Sequence, residues 1–168
     1  TGVALMWTES GDSGATWTTT EVWDTNRYSF AGGGYANNSG LVVFAENDFD
    51  QTYSGDINTF VLVSTDSGAT WNRYVVDTGK KQPDCTSKWC YDGFYGTVPA
   101  VAADGNGDLV VAYSRANVPG GRQRVYVSRS TDSGVTWSTG VRLSAGWALA
   151  GFPAAVGGIS AFISRRTS

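Results

Sequence analysis

Three aspartates stand in nearly the same eight-residue context, which makes them the first candidates for chemistry. Carboxylates can act as general acids and bases. Such groups must converge on one reacting centre, whereas these copies lie 54 and 66 residues apart, a spacing typical of repeated structural units. The sequence therefore predicts a structural role for each copy of the motif, called the box below: Asp12 in SGDSGATW (10–17), Asp66 in STDSGATW (64–71) and Asp132 in STDSGVTW (130–137).

The other residues of the box suit a tight turn between two strands. A buried or half-buried Asp can accept backbone N–H groups of the turn, and Gly can take the positive φ that the turn requires. A Trp at the end of the box can cover the hairpin and place apolar surface between neighbouring sheets. The residues expected in these roles are Gly14, Gly68 and Gly134, followed by Trp17, Trp71 and Trp137.

Hairpins surround the boxes. Apolar and β-branched stretches precede each box (VALMWTE, NTFVLVS, QRVYVSR) and follow it (TTTEVWD, NRYVVDT, STGVRLS), which predicts strand, turn and strand. Two similar stretches, LVVFAEN (41–47) and LVVAYSR (109–115), follow Gly-containing turns and predict a further hairpin in each unit. Four strands per repeated unit is the architecture of a β-propeller blade.

The order of the hairpins predicts one propeller region over 1–168, cut mid-blade at both ends. About three blade-equivalents are expected: a half blade at 1–24, full blades at 25–81 and 82–145, and a half blade at 146–168. The two halves could complete one blade and close a ring. Three blades make a tight ring, so two chains could instead join head to tail, or the chain could be a fragment of a longer protein.

Composition supports an all-β chain and narrows its partners. The 168 residues include 22 Gly and 22 aromatic residues, which favour strands and tight turns. A net charge of −3 gives no basic footprint for nucleic acid. The uncharged run at 143–163 has the length of a membrane span, but its Gly and Pro residues and its likeness to earlier hairpins favour a blade over an anchor. No cofactor is expected.

Covalent and metal chemistry is limited by the residues present. Cys85 and Cys90, in CTSKWC, predict a loop disulfide of an extracytoplasmic protein, with two free thiols as the alternative. The chain has no His and no second Cys pair, which argues against zinc. DGNGD at 104–108 lacks the Gly and Glu of a calcium loop and is interpreted as a hairpin turn, so no metal site is predicted. Asn37 begins the glycosylation sequon NNS.

The pattern S-x-D-x-G-x-T-W within repeated four-stranded units resembles the Asp-box, also called the bacterial neuraminidase repeat. This repeat occurs in sialidases and in other β-propeller proteins, including some endoglucanases and sortilin-type receptors. The resemblance extends over nearly the whole chain and implies a sialidase-like β-propeller. It does not fix an activity, because one fold can host several functions.

A sialidase resemblance can be tested at single residues. Family enzymes carry an aromatic-Arg-Ile-Pro motif whose Arg helps to bind the substrate carboxylate. Thr97 and Gly151 stand at the Arg position of the related stretches YGTVPA and GFPAA. In the first full blade the aligned residue is Ser29, and Arg27 lies two residues out of register. The departures favour binding over catalysis.

The resemblance also implies a catalytic Asp between the second and third strands of an early blade. Asp48, Asp50 and Asp56 are the candidates there, and could serve as an acid or a base over a sugar. The alternative is a polar surface loop. The family's nucleophilic Glu and Tyr would come from later blades, which this chain either does not reach or does not possess.

Two other stretches could bind a glycan. One surrounds the link NVPGGRQR, where Arg115, Arg122, Arg124 and Arg129 are expected close together and could bind a carboxylate or a sulfate, although such residues also form solvated faces. The other is an aromatic segment that could stack on sugar rings or pack against a neighbouring loop. The candidate ligand-binding residues are Arg115, Arg122 and Arg124 in the first stretch, and Trp89, Tyr91, Phe94 and Tyr95 in the second.

These features together predict a secreted or cell-surface, sialidase-like β-propeller. Its expected role is to bind a glycan or glycoconjugate, or to serve as a structural module, without a complete catalytic site. The alternative is part of an exo-sialidase-like glycoside hydrolase that acts on terminal acidic sugars.

Overall fold

The computed structural model describes residues 3–25, 27–49, 56–80, 98–104 and 107–143. Within these ranges the chain is all-β, as predicted, and contains no helix. The strands, in chain order, are β1 (Val3–Glu9), β2 (Thr18–Thr25), β3 (Tyr28–Ala36), β4 (Val42–Phe49), β5 (Ile57–Ser64), β6 (Asn72–Gly79), β7 (Ala100–Ala103), β8 (Leu109–Arg115), β9 (Arg124–Ser130) and β10 (Val141–Arg142).

The strands form three antiparallel sheets that follow one another along the chain. The first hairpin is the two-stranded sheet β1–β2. The middle sheet has four strands in the order β3–β4–β5–β6, and the last sheet has four in the order β7–β8–β9–β10. Strands adjacent in sequence are therefore adjacent in space, as short turns between antiparallel strands allow.

The middle sheet is covered on both faces. Val43 pairs with Val63 across β4 and β5, and this face joins one core cluster with Leu109 and Val111 of the last sheet. On the opposite face Phe44 lies 5.6 Å, centroid to centroid, from Trp7 of the first hairpin. Because both faces are packed, β4 and β5 are buried along nearly their whole length.

The innermost strands of the two larger sheets approach closely because β3 is rich in glycine. The backbone N–H of Gly33 donates to the carbonyl of Pro99 at 2.9 Å. A Cβ at Gly32 would lie 2.3 Å from the Ala45 carbonyl oxygen and 2.4 Å from that of Pro99. Any side chain at Gly32 would therefore force the sheets apart.

Each box forms a turn held by its own side chains. Asp66 Oδ1 accepts the backbone N–H of Thr70 at 2.8 Å, and Asp66 Oδ2 accepts the Thr70 hydroxyl at 2.6 Å. Ser64 Oγ donates to Asp66 at 2.7 Å and accepts the N–H of Gly68 at 2.8 Å. The Trp71 indole N–H donates to the Gly68 carbonyl at 2.9 Å. The same bonds recur in the other two boxes.

Two successive residues of each box have positive φ, whereas the sequence predicted only one. Gly68 has φ of 95°, and the preceding Ser67 has φ of 61°. Positive φ at both central residues is the signature of a type I′ turn, whose twist matches that of the flanking strands. The same pair of values recurs at Ser13 and Gly14 and at Ser133 and Gly134.

The prediction that the box carboxylates are buried or half-buried is wrong. Asp12, Asp66 and Asp132 are exposed to solvent. Their hydrogen-bond partners belong to the turn itself, so the carboxylate needs no cover from a neighbouring sheet. The pKa of each carboxylate is lowered to about 2. The main cause is the hydrogen bond from the hydroxyl of the Thr four residues later, followed by the bond from that Thr's backbone N–H.

The three box tryptophans differ in their surroundings. Trp71 lies between two sheets, with its ring centroid 5.4 Å from that of Trp7 and 5.8 Å from that of Phe44. Trp137 is half-buried and packs against the core cluster that joins the middle and last sheets. Trp17 remains 63% exposed, so the packing predicted for it between sheets is absent in the described structure.

Candidate functional site

Antiparallel order brings four strand ends of the middle sheet together at the end opposite the box. β3 begins here, β4 ends here, β5 begins here and β6 ends here. We call this the charged end, because it carries Arg27, Asp48, Asp56 and Lys80. The box turn between β5 and β6 lies at the other end, called the box end.

Asp48 is a buried ion-pair centre at the charged end. Its Oδ1 accepts from Arg27 Nε at 2.6 Å and from Asn58 Nδ2 at 2.7 Å. Its Oδ2 accepts from Arg73 Nη2 at 2.5 Å. The side chain is only 2% exposed. A carboxylate so enclosed is suited to positioning the two arginines, and this geometry favours a structural role over the predicted acid or base role.

Asp56 lies at the surface of the same end, immediately before β5. Its carboxylate is 45% exposed, and Lys80 Nζ donates to both oxygens at 2.7 Å. The backbone carbonyl of Asp56 accepts from Arg27 Nη2 at 2.7 Å. Asp56 is therefore the predicted carboxylate that a ligand could reach. Asp50, the third candidate, lies outside the described residues.

Sequence reasoning missed Glu46, a buried acid on the same strand as Asp48. Ser29 donates its hydroxyl to Glu46 Oε2 at 2.8 Å. Burial raises the pKa of Glu46, and the nearby Asp48 carboxylate raises it further, while Ser29 and Arg73 oppose this shift. The sequence could have indicated Glu46, because strand alternation places Glu46 and Asp48 on one face of β4.

A second polar cluster links the middle sheet to the last sheet. Tyr113 donates its hydroxyl to Asp77 Oδ2 at 2.5 Å, and Arg115 Nη1 donates to Asp77 Oδ1 at 2.7 Å. The Tyr113 oxygen also lies 3.0 Å from Ser128 Oγ. The Arg115 guanidinium covers the Tyr126 ring at 4.4 Å. Burial, together with the bond to Asp77, raises the pKa of Tyr113, so its phenol stays protonated.

Backbone contacts hold this cluster beside the charged end. The N–H of Lys80 donates to the carbonyl of Ala116 at 2.9 Å. A Cβ at Gly79 would lie 2.6 Å from the Arg115 Cβ. The close approach at Gly79 brings the end of β6 against the end of β8. Asp56 contacts both Arg27 and Lys80, and the Lys80–Ala116 bond joins this group to the segment that follows Arg115.

The predicted arginine cluster is divided by the fold. Arg115 ends β8 and pairs with Arg124 at the start of β9, and the exposed Arg122 lies in the link between these strands. Arg129 lies on β9 near the box end, where it forms an ion pair with Asp108. The three candidate ligand-binding arginines therefore share one end of the last sheet, and Arg129 does not belong to that group.

Other sequence-predicted residues have simpler outcomes. Asn37 lies in the turn after β3, where its Oδ1 accepts from the Ser39 N–H at 3.0 Å, the Ser39 hydroxyl at 2.8 Å and the Leu41 N–H at 3.1 Å. The predicted disulfide and the predicted aromatic ligand-binding residues lie outside the described residues: Cys85, Cys90, Trp89, Tyr91, Phe94 and Tyr95.

The described ranges contain neither a metal-ligand cluster nor a helix that could span a membrane. No group of three or more acidic, His or Cys side chains there is placed to hold a metal ion. The same ranges contain no helix long and apolar enough to cross a membrane.

No protein-family model matches the chain, and no curated protein matches it. Several solved structures are similar to it, and two of them have TM-scores above 0.5. The α-L-arabinanase of Penicillium chrysogenum, complexed with arabinobiose, matches 83% of this chain and 41% of its own at 18% identity and a TM-score of 0.54. The K499G mutant of NanB sialidase from Streptococcus pneumoniae matches 84% of this chain and 19% of its own at 20% identity and a TM-score of 0.52.

Both similar structures are β-propeller glycosidases. This chain is similar to both in fold. The chain spans less than half the length of either structure, and identities near 20% establish likeness of fold and nothing about activity.

Proposed function

We propose that the chain is part of a sialidase-like β-propeller that binds an acidic sugar of an extracellular glycan at the charged end, without cleaving it. In this proposal the first hairpin supplies the third and fourth strands of one Asp-box blade. The middle and last sheets are two further four-stranded blades. The glycosidase-like fold supports the general class of ligand.

The observation that carries the proposal is that three cations, Arg27, Lys80 and Arg115, lie at neighbouring strand ends, each paired with a carboxylate. Arg27 and Lys80 both contact Asp56, and Lys80 also bonds to the segment that follows Arg115. The three side chains are partly exposed, which leaves their outer surfaces within reach of a ligand. A carboxylate or sulfate would complement them through charge-assisted hydrogen bonds.

The described carboxylates support binding rather than catalysis. A general acid or base must exchange a proton with the substrate across a hydrogen-bond distance. Asp48 is enclosed by two guanidinium groups, and Asp56 is bonded through both oxygens to Lys80. Both groups therefore orient cations, and the cations are the groups presented to a ligand.

Calorimetric titration with sialyllactose tests the binding proposal, with lactose as the neutral control ligand. We expect saturable binding of sialyllactose only. Lys80→Ala and Arg115→Ala should each weaken it about tenfold, equivalent to ~1.4 kcal/mol. Arg129→Ala is the matched control, because it removes a partly exposed, ion-paired cation at the box end. Equal binding of both sugars, or equal effects of all three variants, would contradict the proposal.

One observation favours a second candidate, part of a sialidase-like hydrolase. Asp56 is exposed at the same end as the cations, where a catalytic acid would be needed. A fluorogenic sialoside tests this directly. Turnover that is lost in Asp56→Ala and Asp50→Ala, and retained in Arg129→Ala, would establish the hydrolase and replace the binding proposal.

A further inference from the structure

In each four-stranded sheet, a side chain of the preceding unit packs against the box glycine. A Cβ at Gly68 would lie 2.7 Å from Nε1 of Trp7, which belongs to the first hairpin. A Cβ at Gly134 would lie 3.0 Å from Cγ2 of Val63, which belongs to the middle sheet. The sheets are therefore stacked in one direction, with each box turned towards the unit before it.

The first hairpin presents the same surface, and no other described residue covers it. Among the described residues, the only atom near a Cβ at Gly14 belongs to Trp17 of its own box, at 3.6 Å. Trp17 is 63% exposed and Met6 is 53% exposed. Their counterparts in the middle sheet are Trp71, whose ring contacts that of Trp7, and Phe60, which is fully buried. We call the surface formed by Met6, Gly14 and Trp17 the head face.

The last sheet presents the complementary surface at the other end of the stack. Val127 of β9 pairs with Val141 of β10, so the two side chains share one face. Their counterparts in the middle sheet are Val61 and Tyr74, which are buried or packed against the last sheet. Val127 is only half-buried, and Val141 is 63% exposed. We call the surface formed by Val127 and Val141 the tail face.

We propose that the tail face of one copy of this chain docks on the head face of a second copy. The contact would continue the interface that already joins the first hairpin to the middle sheet and the middle sheet to the last. Both faces expose large apolar side chains, which favours their burial. This interface does not depend on glycan binding.

The contact is heterologous, because two different surfaces meet, and such contacts form rings when the rotation closes. Two copies joined at both pairs of faces would form a closed dimer with no head or tail face left exposed. The native mass is therefore expected near twice 17.8 kDa, rather than an open series of larger species.

Sedimentation analysis of the chain and two face variants tests the proposal. Trp17→Asp should disable the head face, and Val141→Asp should disable the tail face, so each variant alone should lose the paired interfaces and sediment closer to 17.8 kDa. Val118→Asp is the matched control, since Val118 is 60% exposed in the link between β8 and β9, away from both faces. It should sediment like the unmodified chain.

Mixing the two variants makes the test specific for a head-to-tail contact. A Trp17→Asp chain keeps its tail face and a Val141→Asp chain keeps its head face, so the mixture should form a 1:1 pair that neither variant forms alone. Heterodimer formation also shows that both variants are folded. A monomeric unmodified chain at every concentration, unchanged mass in both face variants, or a mixture that does not associate would overturn the proposal.

Discussion

The two ends of the middle sheet each hold a carboxylate in a full set of hydrogen bonds, but by opposite means. At the box end, Asp66 is exposed and is bonded to groups no more than four residues away. At the charged end, Asp48 is buried and is bonded to Arg27 and Arg73, which lie 21 and 25 residues away in the chain. The first arrangement is complete within one turn, and the second exists only once several strands are assembled.

This difference separates the parts of the sheet that specify the turn from those that hold the sheet together. Local bonds at the box form in the first hairpin as they do in the middle sheet, although no described sheet covers one face of the hairpin. The Asp48 ion pairs connect β4 to β6 and to the segment before β3. Loss of the second kind of carboxylate should therefore cost more stability than loss of the first.

Asp48→Ala should produce the largest effect. It leaves two partly buried guanidinium groups without their carboxylate, and breaking a buried ion pair in this way costs about 3–5 kcal/mol. The free energy of unfolding in urea measures this loss. Asp56→Ala is the control, because the exposed pair with Lys80 should contribute about 0–1 kcal/mol. Similar losses in the two variants would refute the distinction.

Trp71→Ala should come next, and Trp17→Ala should be much milder. Trp71 loses packing against Trp7 and Phe44, which is expected to cost about 3 kcal/mol. Trp17 loses contact mainly with its own turn, so about 1 kcal/mol is expected at concentrations where the chain is monomeric. Urea denaturation of both variants at low protein concentration provides the comparison. Equal losses would mean that the box tryptophan acts only within its turn.

Gly68→Ala and Gly14→Ala separate backbone strain from packing. Both glycines have positive φ, so alanine should cost about 1 kcal/mol at either position. At Gly68 the new methyl group would also meet Trp7, whereas at Gly14 the described residues leave space. Thermal unfolding should therefore show a lower midpoint for Gly68→Ala. Identical midpoints would indicate that the first hairpin is covered as fully as the middle sheet.

The smallest effect concerns pH. The folded state lowers the pKa of the three box carboxylates to about 2, below the ordinary value near 3.9. Since the folded pKa is depressed, the contribution to stability is complete above about pH 4 and is lost as the pH falls towards 2. Unfolding free energies across this range should decline less steeply in Asp66→Asn than in the unmodified chain. An unchanged slope would mean that the box carboxylate does not take part in this linkage.

The same contrast explains how much could be predicted from the sequence. The box, its positive-φ glycine and its flanking strands follow from residues within a few positions of one another. Ser67 was missed because a non-glycine residue with positive φ is uncommon. The exposure of Asp66 was misjudged because a self-contained hydrogen-bond set does not reveal whether a neighbour covers it.

At the charged end, the sequence showed which residues were present but not which would meet. The approach of β6 to β8 at Gly79 joins Lys80 to the segment after Arg115. No local sequence pattern predicts such a contact. Glu46 was overlooked because a Glu within an apolar strand is rarely buried unless it is paired. Arg129 was grouped with the other arginines because closeness in sequence does not distinguish the two ends of a strand.

Ligand-observed saturation-transfer NMR of sialyllactose with the unmodified chain tests the central claim most directly, because one sample reports both binding and cleavage. The account predicts saturation transfer to the sialic acid protons, which diminishes in Lys80→Ala, and no signals of free sialic acid after prolonged incubation. Release of sialic acid would show that the chain cleaves the sugar. Absence of transfer would show that the charged end does not bind it, and either result would contradict the account.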